Sequence, residues 1–335
     1  MTKSVRMQDV ADKAGVSQPT VSIVFSGRRD VRIAESTRQR VLDVAKELNY
    51  RPHGAARTLA TGRTNAVAFV YDTTAGFLLD DPFCRDIFAA IISSSEASKF
   101  SLVFSVYDSA ENRIRAVEEQ LVDGVMYLAA KSAMAVDYLR DSKLPFVLIN
   151  SDLDARNSLS TVQLDDARAG TLAAQQVKKA GHSRVVFVAG SWKGRVAPSY
   201  AARAAAFRKI MPGTKLLTLP LDGGTADSYR LGVRAAADVK DATAVIAAND
   251  QIAWGLYDAF QSRGIFIPKD LSLVGFDGLK RIFQDGDPLL STTAFDTAEI
   301  GQAGIDMLSG LFAGRGVATR RIAPRWIPGT TLANI

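Results

Sequence analysis

The chain has 335 residues, 47% of them apolar, and a formal net charge of +6. That is enough for a small module plus a larger two-part body, and too apolar for a disordered protein. One cysteine, Cys84, excludes an internal disulfide and suits a reducing compartment, and no run of about 18 apolar residues offers a membrane span. The charge is localised. Residues 1–63 hold 12 Lys/Arg and 6 Asp/Glu, the whole surplus, while the remaining residues hold 29 of each sign. A basic leading module on a neutral body is the distribution expected of a chain that meets a polyanion. The opening stretch MTKSVRMQDVADKAGVS is charged and amphipathic where a secretory signal needs an apolar segment, so the expected location is cytoplasmic.

In chain order, Met7, Val10, Ala11 and Ala14 fall at i, i+3, i+4 and i+7, the apolar stripe of a short helix. Gly15 supplies a permissive turn, Ser17 a good N-cap, and Pro19 is tolerated in the first turn of a second helix. That helix runs to about Phe25, with Val16, Val21, Val24 and Phe25 apolar, and Ser26-Gly27 stops it. A third helix starts at Ser36 or Thr37, turns Val41, Val44, Ala45 and Leu48 inward, and ends at Asn49-Tyr50-Arg51-Pro52. Periodicity alone fits a generic three-helix bundle as well as a helix-turn-helix. The second helix decides between them, because Gln18, Thr20 and Ser22 are short uncharged groups suited to base edges in a major groove. Arg28, Arg29, Arg32, Arg38 and Arg40 around them suit phosphates.

The run Asp9-Val10-Ala11 … Ala14-Gly15-Val16-Ser17-Gln18-Pro19-Thr20-Val21-Ser22, followed by Leu48-Asn49-Tyr50-Arg51-Pro52, resembles the head of the lac repressor (LacI/GalR) family of bacterial transcriptional regulators. The resemblance implies that Gln18 and Pro19 read bases, within a DNA-contact set of Ser17, Gln18, Pro19, Thr20, Ser22, Ile23, Asn49 and Tyr50. Ile23 is a departure: many members carry arginine there. An apolar side chain can touch a thymine methyl but cannot fork onto guanine, so the operator is expected to differ from the usual one.

Residues 51–63 form a hinge or linker, Pro52 to Arg63, rich in Ala and Thr. A helix this short is marginal alone, and a plain flexible linker fits it too. Ala56-Arg57-Thr58-Leu59 resembles the family's hinge helix, which implies that Ala56, Arg57 and Leu59 also meet DNA, Leu59 as a wedge between base steps in the minor groove.

Residues 64–335 alternate apolar runs with helical stretches. Strand candidates are Ala66–Tyr71, Leu102–Val106, Gly124–Leu128, Pro145–Asn150, Arg184–Ala189, Ala244–Ala247 and Leu271–Gly275, with helices such as Ala167–Lys179, Tyr200–Ile210 and Gln251–Arg263 between them. This reads as parallel sheets covered on both faces, better divided into two Rossmann-like lobes than kept as one sheet. The expected fold is thus an all-α helix-turn-helix head (1–50) plus an α/β body of two Rossmann-like lobes. Lobe N takes about 64–164 and 295–324, and lobe C about 165–294 and 325–335, with crossings near Leu164–Asp166, Phe295–Thr297 and Pro324–Trp326. The resemblance implies a periplasmic-binding-protein-like body with a ligand at the strand ends between lobes. It carries Arg203 over as the ligand clamp, with Ser199 on the same segment, and Asn249, Asp277, Asn150, Phe83 and Phe295. Asp250 could equally be only the N-cap of the next helix. Two departures are Asp222-Gly223-Gly224-Thr225, which lacks a stacking aromatic, and Phe295, where glutamine is common. Trp192 could stack on ligand instead, or only pack its loop.

Catalysis is not expected. Of two histidines, His53 lies in the hinge and His182 precedes a strand in a capping or hydrogen-bonding role. Gly190-Ser191-Trp192-Lys193-Gly194 is not a nucleophile elbow, there is no zinc spacing, and Asp72-Thr73-Thr74-Ala75-Gly76 is no phosphate loop. Asp165-Asp166 suits a crossover or helix start. No cofactor and no metal are expected. The expected partners are double-stranded operator DNA, a small sugar-like effector and a second copy of the chain. The chain ends at Thr330–Ile335 with no tetramerisation helix, so a homodimer is expected. The runner-up, a sugar-binding solute receptor, shares the body but has no use for the head.

Overall fold

The computed structural model describes residues 5–26, 31–50, 58, 62–71, 81–98, 100–130, 132–151, 153, 159–221, 227–239, 241–279 and 289–335. The chain divides into two compact units, Met1–Asn65 and Ala66–Ile335.

In the head, α1 (Met7–Ala14), α2 (Gln18–Ser26) and α3 (Glu35–Glu47) enclose Val10, Ala11, Ala14, Val21, Val24, Val41 and Ala45. α1 stops because Gly15 turns left-handed (φ 65°, ψ 39°), which lets the Val16 amide reach back to the Ala11 carbonyl at 3.0 Å. α2 starts at once: the Ser17 hydroxyl accepts from the Thr20 amide at 3.3 Å. α3 begins at Glu35, slightly earlier than the sequence suggests. The Ala34 carbonyl accepts the Thr37 and Arg38 amides, and no hydroxyl cap at Ser36 or Thr37 is needed. Beyond α3, Asn49 turns left-handed (φ 51°) and the Tyr50 ring packs edge-on against Phe25 at 5.5 Å.

The body holds two sheets. The first, in the order β13-β6-β5-β4-β1-β2-β3, comprises β1 (Ala66–Tyr71), β2 (Ser101–Asp108), β3 (Arg113–Ile114), β4 (Gly124–Leu128), β5 (Phe146–Ile149), β6 (Ser160–Leu164) and β13 (Thr319–Ile322). The second, in the order β14-β12-β11-β10-β7-β8 with β9 also on β7, comprises β7 (Val185–Trp192), β8 (Arg195–Val196), β9 (Lys215–Pro220), β10 (Ala244–Ala247), β11 (Ser272–Asp277), β12 (Ser291–Ala294) and β14 (Arg325–Ile327). β1, β4 and β10 are buried along their whole length, as parallel strands covered on both faces must be. Helices α4 (Pro82–Ala97), α5 (Arg115–Glu118) and α6 (Ala133–Ser142) follow strands of the first sheet. Helices α7 (Asp166–Lys179), α8 (Pro198–Ile210), α9 (Ser228–Ala235) and α10 (Asp250–Gln261) belong to the second. α11 (Thr297–Phe312) returns to the first, where Phe312 meets Phe100 and Gly301 lies against Ala90.

Each lobe repeats one wiring. The parallel core β2-β1-β4-β5-β6 matches β9-β7-β10-β11-β12, so strand order reverses beside β1 and beside β7. Such reversals open a crevice at the carboxyl ends of the strands. The chain leaves the first sheet after Leu164, returns after Ala294 and crosses again between Ile322 and Arg325. This is the helical head and doubly wound two-lobed body that the patterning implied. The last residues are sewn onto the second lobe: the Leu273 amide donates to the Thr331 carbonyl at 2.8 Å, and buried His182 holds the Ala333 carbonyl at 3.1 Å. Burial pushes the His182 pKa down, so it serves as a neutral hydrogen-bonding ring.

Candidate functional site

On the head, Ser17, Gln18 and Pro19 are exposed, and Thr20, Ser22 and Ile23 are half-buried along α2. The Ser17 and Thr20 hydroxyls lie 2.9 Å apart, so the first turn presents short polar groups in a fixed arrangement. Asn49 is exposed, whereas Tyr50 is half-buried and belongs partly to the core. Two of the arginines do local work: Arg40 Nε donates to the Ala14 carbonyl at 3.0 Å, and Arg38 Nη1 reaches the Val24 carbonyl at 3.5 Å. Both sit on carbonyls at or near helix C-termini, where a cation is favoured. Arg28, Arg29, Ala56, Arg57 and Leu59 lie outside the described residues.

In the body, Arg203 is the centre of a buried network. It sits on α8, whose backbone touches α7 so closely that a Cβ on Gly170 would come within 2.1 Å of the Arg203 carbonyl oxygen. Its side chain is 4% exposed; Nε donates to Asp166 Oδ1 at 2.7 Å, and Nη1 donates to the Ala248 carbonyl at 2.7 Å and to Asp277 Oδ1 at 3.1 Å. Its Cζ stands 5.0 Å from the centre of the Phe276 ring and about 1 Å farther from those of Tyr200 (5.9 Å) and Phe295 (6.0 Å). Burial works against the guanidinium charge, but Asp166 and Asp277 outweigh it and hold the pKa above the ordinary arginine value.

Asp277 ends β11 with a strained backbone, φ 109°, of the kind that persists only where surroundings impose it. Its pKa is pushed up to about 7: burial dominates, and the charges of Asp81 and Asp166 add to it, together exceeding the pull of Arg203. Beneath it, Asp250 is fully buried, accepting from the Leu279 amide at 2.7 Å and the Thr292 hydroxyl at 2.8 Å. Burial and the neighbouring Asp277 push its pKa well up. The Tyr200 hydroxyl, buried beside Asp277, is likewise shifted upward.

The other expected residues join this centre by short steps. Asn249 follows β10; its Nδ2 donates to the Tyr200 hydroxyl at 2.7 Å and to Ser228 Oγ at 3.2 Å, while its Oδ1 accepts the Ile252 amide at 2.8 Å. Phe295, at the second crossing, lies 6.4 Å from Phe83 of α4, which links the lobes through apolar rings. Asn150, left-handed (φ 47°) after β5, and Ser199, in the first turn of α8, line one cavity of about 260 Å³ with Asp165, Asp166, Gln163 and Arg321. One reading needs correction and one is extended. The cap of α10 is Asn249, because its carbonyl oxygen reaches Ile252, and Asp250 instead points into the core. Asp165 does cap α7 through the Arg168 amide, but Asp166 does more than start a helix, since it holds Arg203. Only its place at a strand-to-helix crossing hinted at this. Trp192 is 41% exposed on the β7–β8 hairpin, with the Lys193 ammonium 5.9 Å from its ring. Asp222, Gly223, Gly224 and Thr225, and likewise Asp72, lie outside the described residues. Among the described residues no group of three His, Cys, Asp or Glu is placed to hold a metal, and no helix is long and apolar enough to cross a membrane.

A helix-turn-helix head on a two-lobed body with a buried polar cleft defines a class: a transcriptional regulator with a ligand-binding domain. Residues 6–53 match the family described as bacterial regulatory proteins, lacI family, and residues 174–332 match the periplasmic binding protein-like domain. The ribose operon repressor of Haemophilus influenzae is 27% identical over 90% of each chain, and catabolite control protein A of Priestia megaterium 26% identical over 91% of this chain and 92% of its own. The lac repressor dimer bound to operator and an anti-inducer shares the fold at a TM-score of 0.77, with 22% identity over 99% of this chain and 100% of its own. By these matches the chain carries the DNA-binding head of the lacI family at residues 6–53 and is similar to DNA-binding transcriptional repressors along most of its length.

Proposed function

We propose that this chain is a cytoplasmic homodimeric repressor whose two heads bind a pseudo-palindromic operator, and whose interlobe cleft takes a sugar or sugar derivative that sets operator affinity. The observation that carries the reading is the placement of Arg203. It is tied to Asp166 at the first lobe crossing and to Asp277 at a strand end, so a ligand at this network bears directly on the joint between lobes. Operator and effector affinities are then coupled reciprocally. Regulators of this fold with bound ribose and bound cellobiose support the effector class. The homodimer reading rests on an apolar face of the first lobe. Phe104 and Val106 of β2 are exposed, Ile92 of α4 is exposed one turn beyond Phe88, and the Phe88 ring meets Phe104 at 5.9 Å. The role requires no reaction and no cofactor.

Two experiments test this. Fluorescence anisotropy of the full chain on promoter fragments should show one preferred duplex whose affinity changes at least about fivefold with an added sugar, the lower range of allosteric coupling. Equal binding to every duplex, with and without sugars, would end the proposal. Phe104→Asp should convert the dimer to monomer by light scattering, and an unchanged mass would place the interface elsewhere.

A further inference from the structure

We infer that the cleft is a filter against anions: it admits uncharged, hydroxyl-rich ligands, rejects phosphorylated or carboxylated ones, and owes this choice to Asp166. The inference rests on the reading of the cleft as an effector site and sharpens it.

A buried guanidinium is ordinarily the hook for an anion, because its planar fork matches a carboxylate or phosphate. Here three of its five N–H donors are already engaged by the protein, which leaves Nη2 without the paired Nη1 or Nε that a bidentate fork needs. Nε is held by Asp166, and Nη1 by Asp277 and the Ala248 carbonyl. One cation facing two carboxylates is balanced by Asp166 while Asp277 keeps its proton, and the centre gains surplus negative charge as Asp277 releases it near pH 7. More acid surrounds it. Asp165 lines the cavity beside Asp166, and the charge of Asp81, at the start of α4 in the other lobe, is felt at Asp277. Arg321 is the one basic side chain among the described cavity-lining residues, and it is exposed on β13, where water and salt screen it. The remaining polar lining, Asn150, Ser151, Gln163 and Ser199, is uncharged. A ligand that donates hydroxyl hydrogens meets acceptors contributed by both lobes. A ligand that brings a negative charge meets like charges in a partly desolvated space, where repulsion is weakly screened.

The test is calorimetric titration of the full chain with paired sugars: ribose and ribose 5-phosphate, glucose and glucose 6-phosphate, glucose and glucuronate. Whichever pair binds should favour its neutral member by at least about tenfold, the low end for one like charge within roughly 6 Å at intermediate dielectric. If the anionic member binds as tightly, the filter is refuted while the effector site stands. If no member of any pair binds, the sugar-effector reading falls and the filter with it. Asp166→Asn keeps an acceptor for Arg203 Nε but removes the charge, and should raise affinity for the anionic member at least about tenfold. Asp166→Glu should keep the wild-type preference. An Asp166→Asn chain that fails to fold, or that folds and discriminates as the wild type does, makes Asp166 a structural residue and overturns its assignment.

Discussion

On the head, the leading residues of the expected DNA-reading face stand in water. Ser17, Gln18 and Pro19 are exposed, and the core beneath them is assembled from Val10, Val21, Val41 and other apolar side chains. In the cleft the reverse holds: Arg203 is 3% exposed, Asp250 is fully buried, and their charges are part of what packs the second lobe. Recognition and stability are therefore separable in the head and fused in the cleft. A substitution on the reading face of α2 should alter binding without unfolding anything, while one at the cleft centre should do both.

The strongest way to break this contrast is Arg203→Met. It leaves Asp166 and Asp277 facing each other without a cation, and losing one partner of a buried ion pair costs about 3–5 kcal/mol. All three tryptophans, Trp192, Trp254 and Trp326, lie in the body, so their fluorescence in urea reports that unit alone. The tryptophan transition should move to lower denaturant, whereas unliganded binding to the preferred duplex should survive at concentrations where the body stays folded. An unmoved transition would show that the network carries no stability. A smaller effect of opposite location is expected from Gly15→Val. A β-branched residue forced to φ 65° costs about 1–2 kcal/mol or more, and it should weaken duplex binding and helical circular dichroism while the tryptophan transition stays put. A shift in that transition would mean that the two units do not unfold independently.

The contrast also governs what could be read from the amino-acid sequence. The head was legible because its signals are local: the 3.6 period, Gly15 and the Ser17 cap all act within a few residues. The central strands of the body were legible for a related reason, since Ala66–Tyr71 and Gly124–Leu128 are continuous apolar runs buried on both faces. β6, β12 and β13 were not, because Ser160–Leu164, Ser291–Ala294 and Thr319–Ile322 carry Ser, Thr, Gln or Arg and take their strand shape from pairing between distant segments. The cleft is the extreme case. Resemblance alone points to Arg203, Asp277 and Phe295, and the sequence marks Asp166 only as a crossover or helix start, since no spacing in the chain announces that residues 37 and 74 positions from Arg203 meet it.

Asp277 offers the finest distinction between the two units, because it ties stability to pH as well as to packing. In the fold its carboxyl holds a proton up to about pH 7, whereas in the unfolded chain an aspartate releases it near 4. Between those values the folded body binds more protons than the unfolded chain, so the contribution of Asp277 is fully favourable below about pH 4 and is lost as pH rises through the window to 7. Asp277→Asn removes the titrating group but keeps a polar side chain beside Arg203. The stability of the wild type relative to this variant should therefore fall by about 1 kcal/mol from pH 5 to pH 7.5, less than a lone group would give, because neighbouring Asp250 takes up part of the proton binding. Tryptophan-monitored urea unfolding of both chains across that range measures the difference. Parallel curves would mean that Asp277 is ionised throughout as an ordinary ion-pair partner of Arg203, and that the surplus of negative charge in the cleft is greater than its burial suggests.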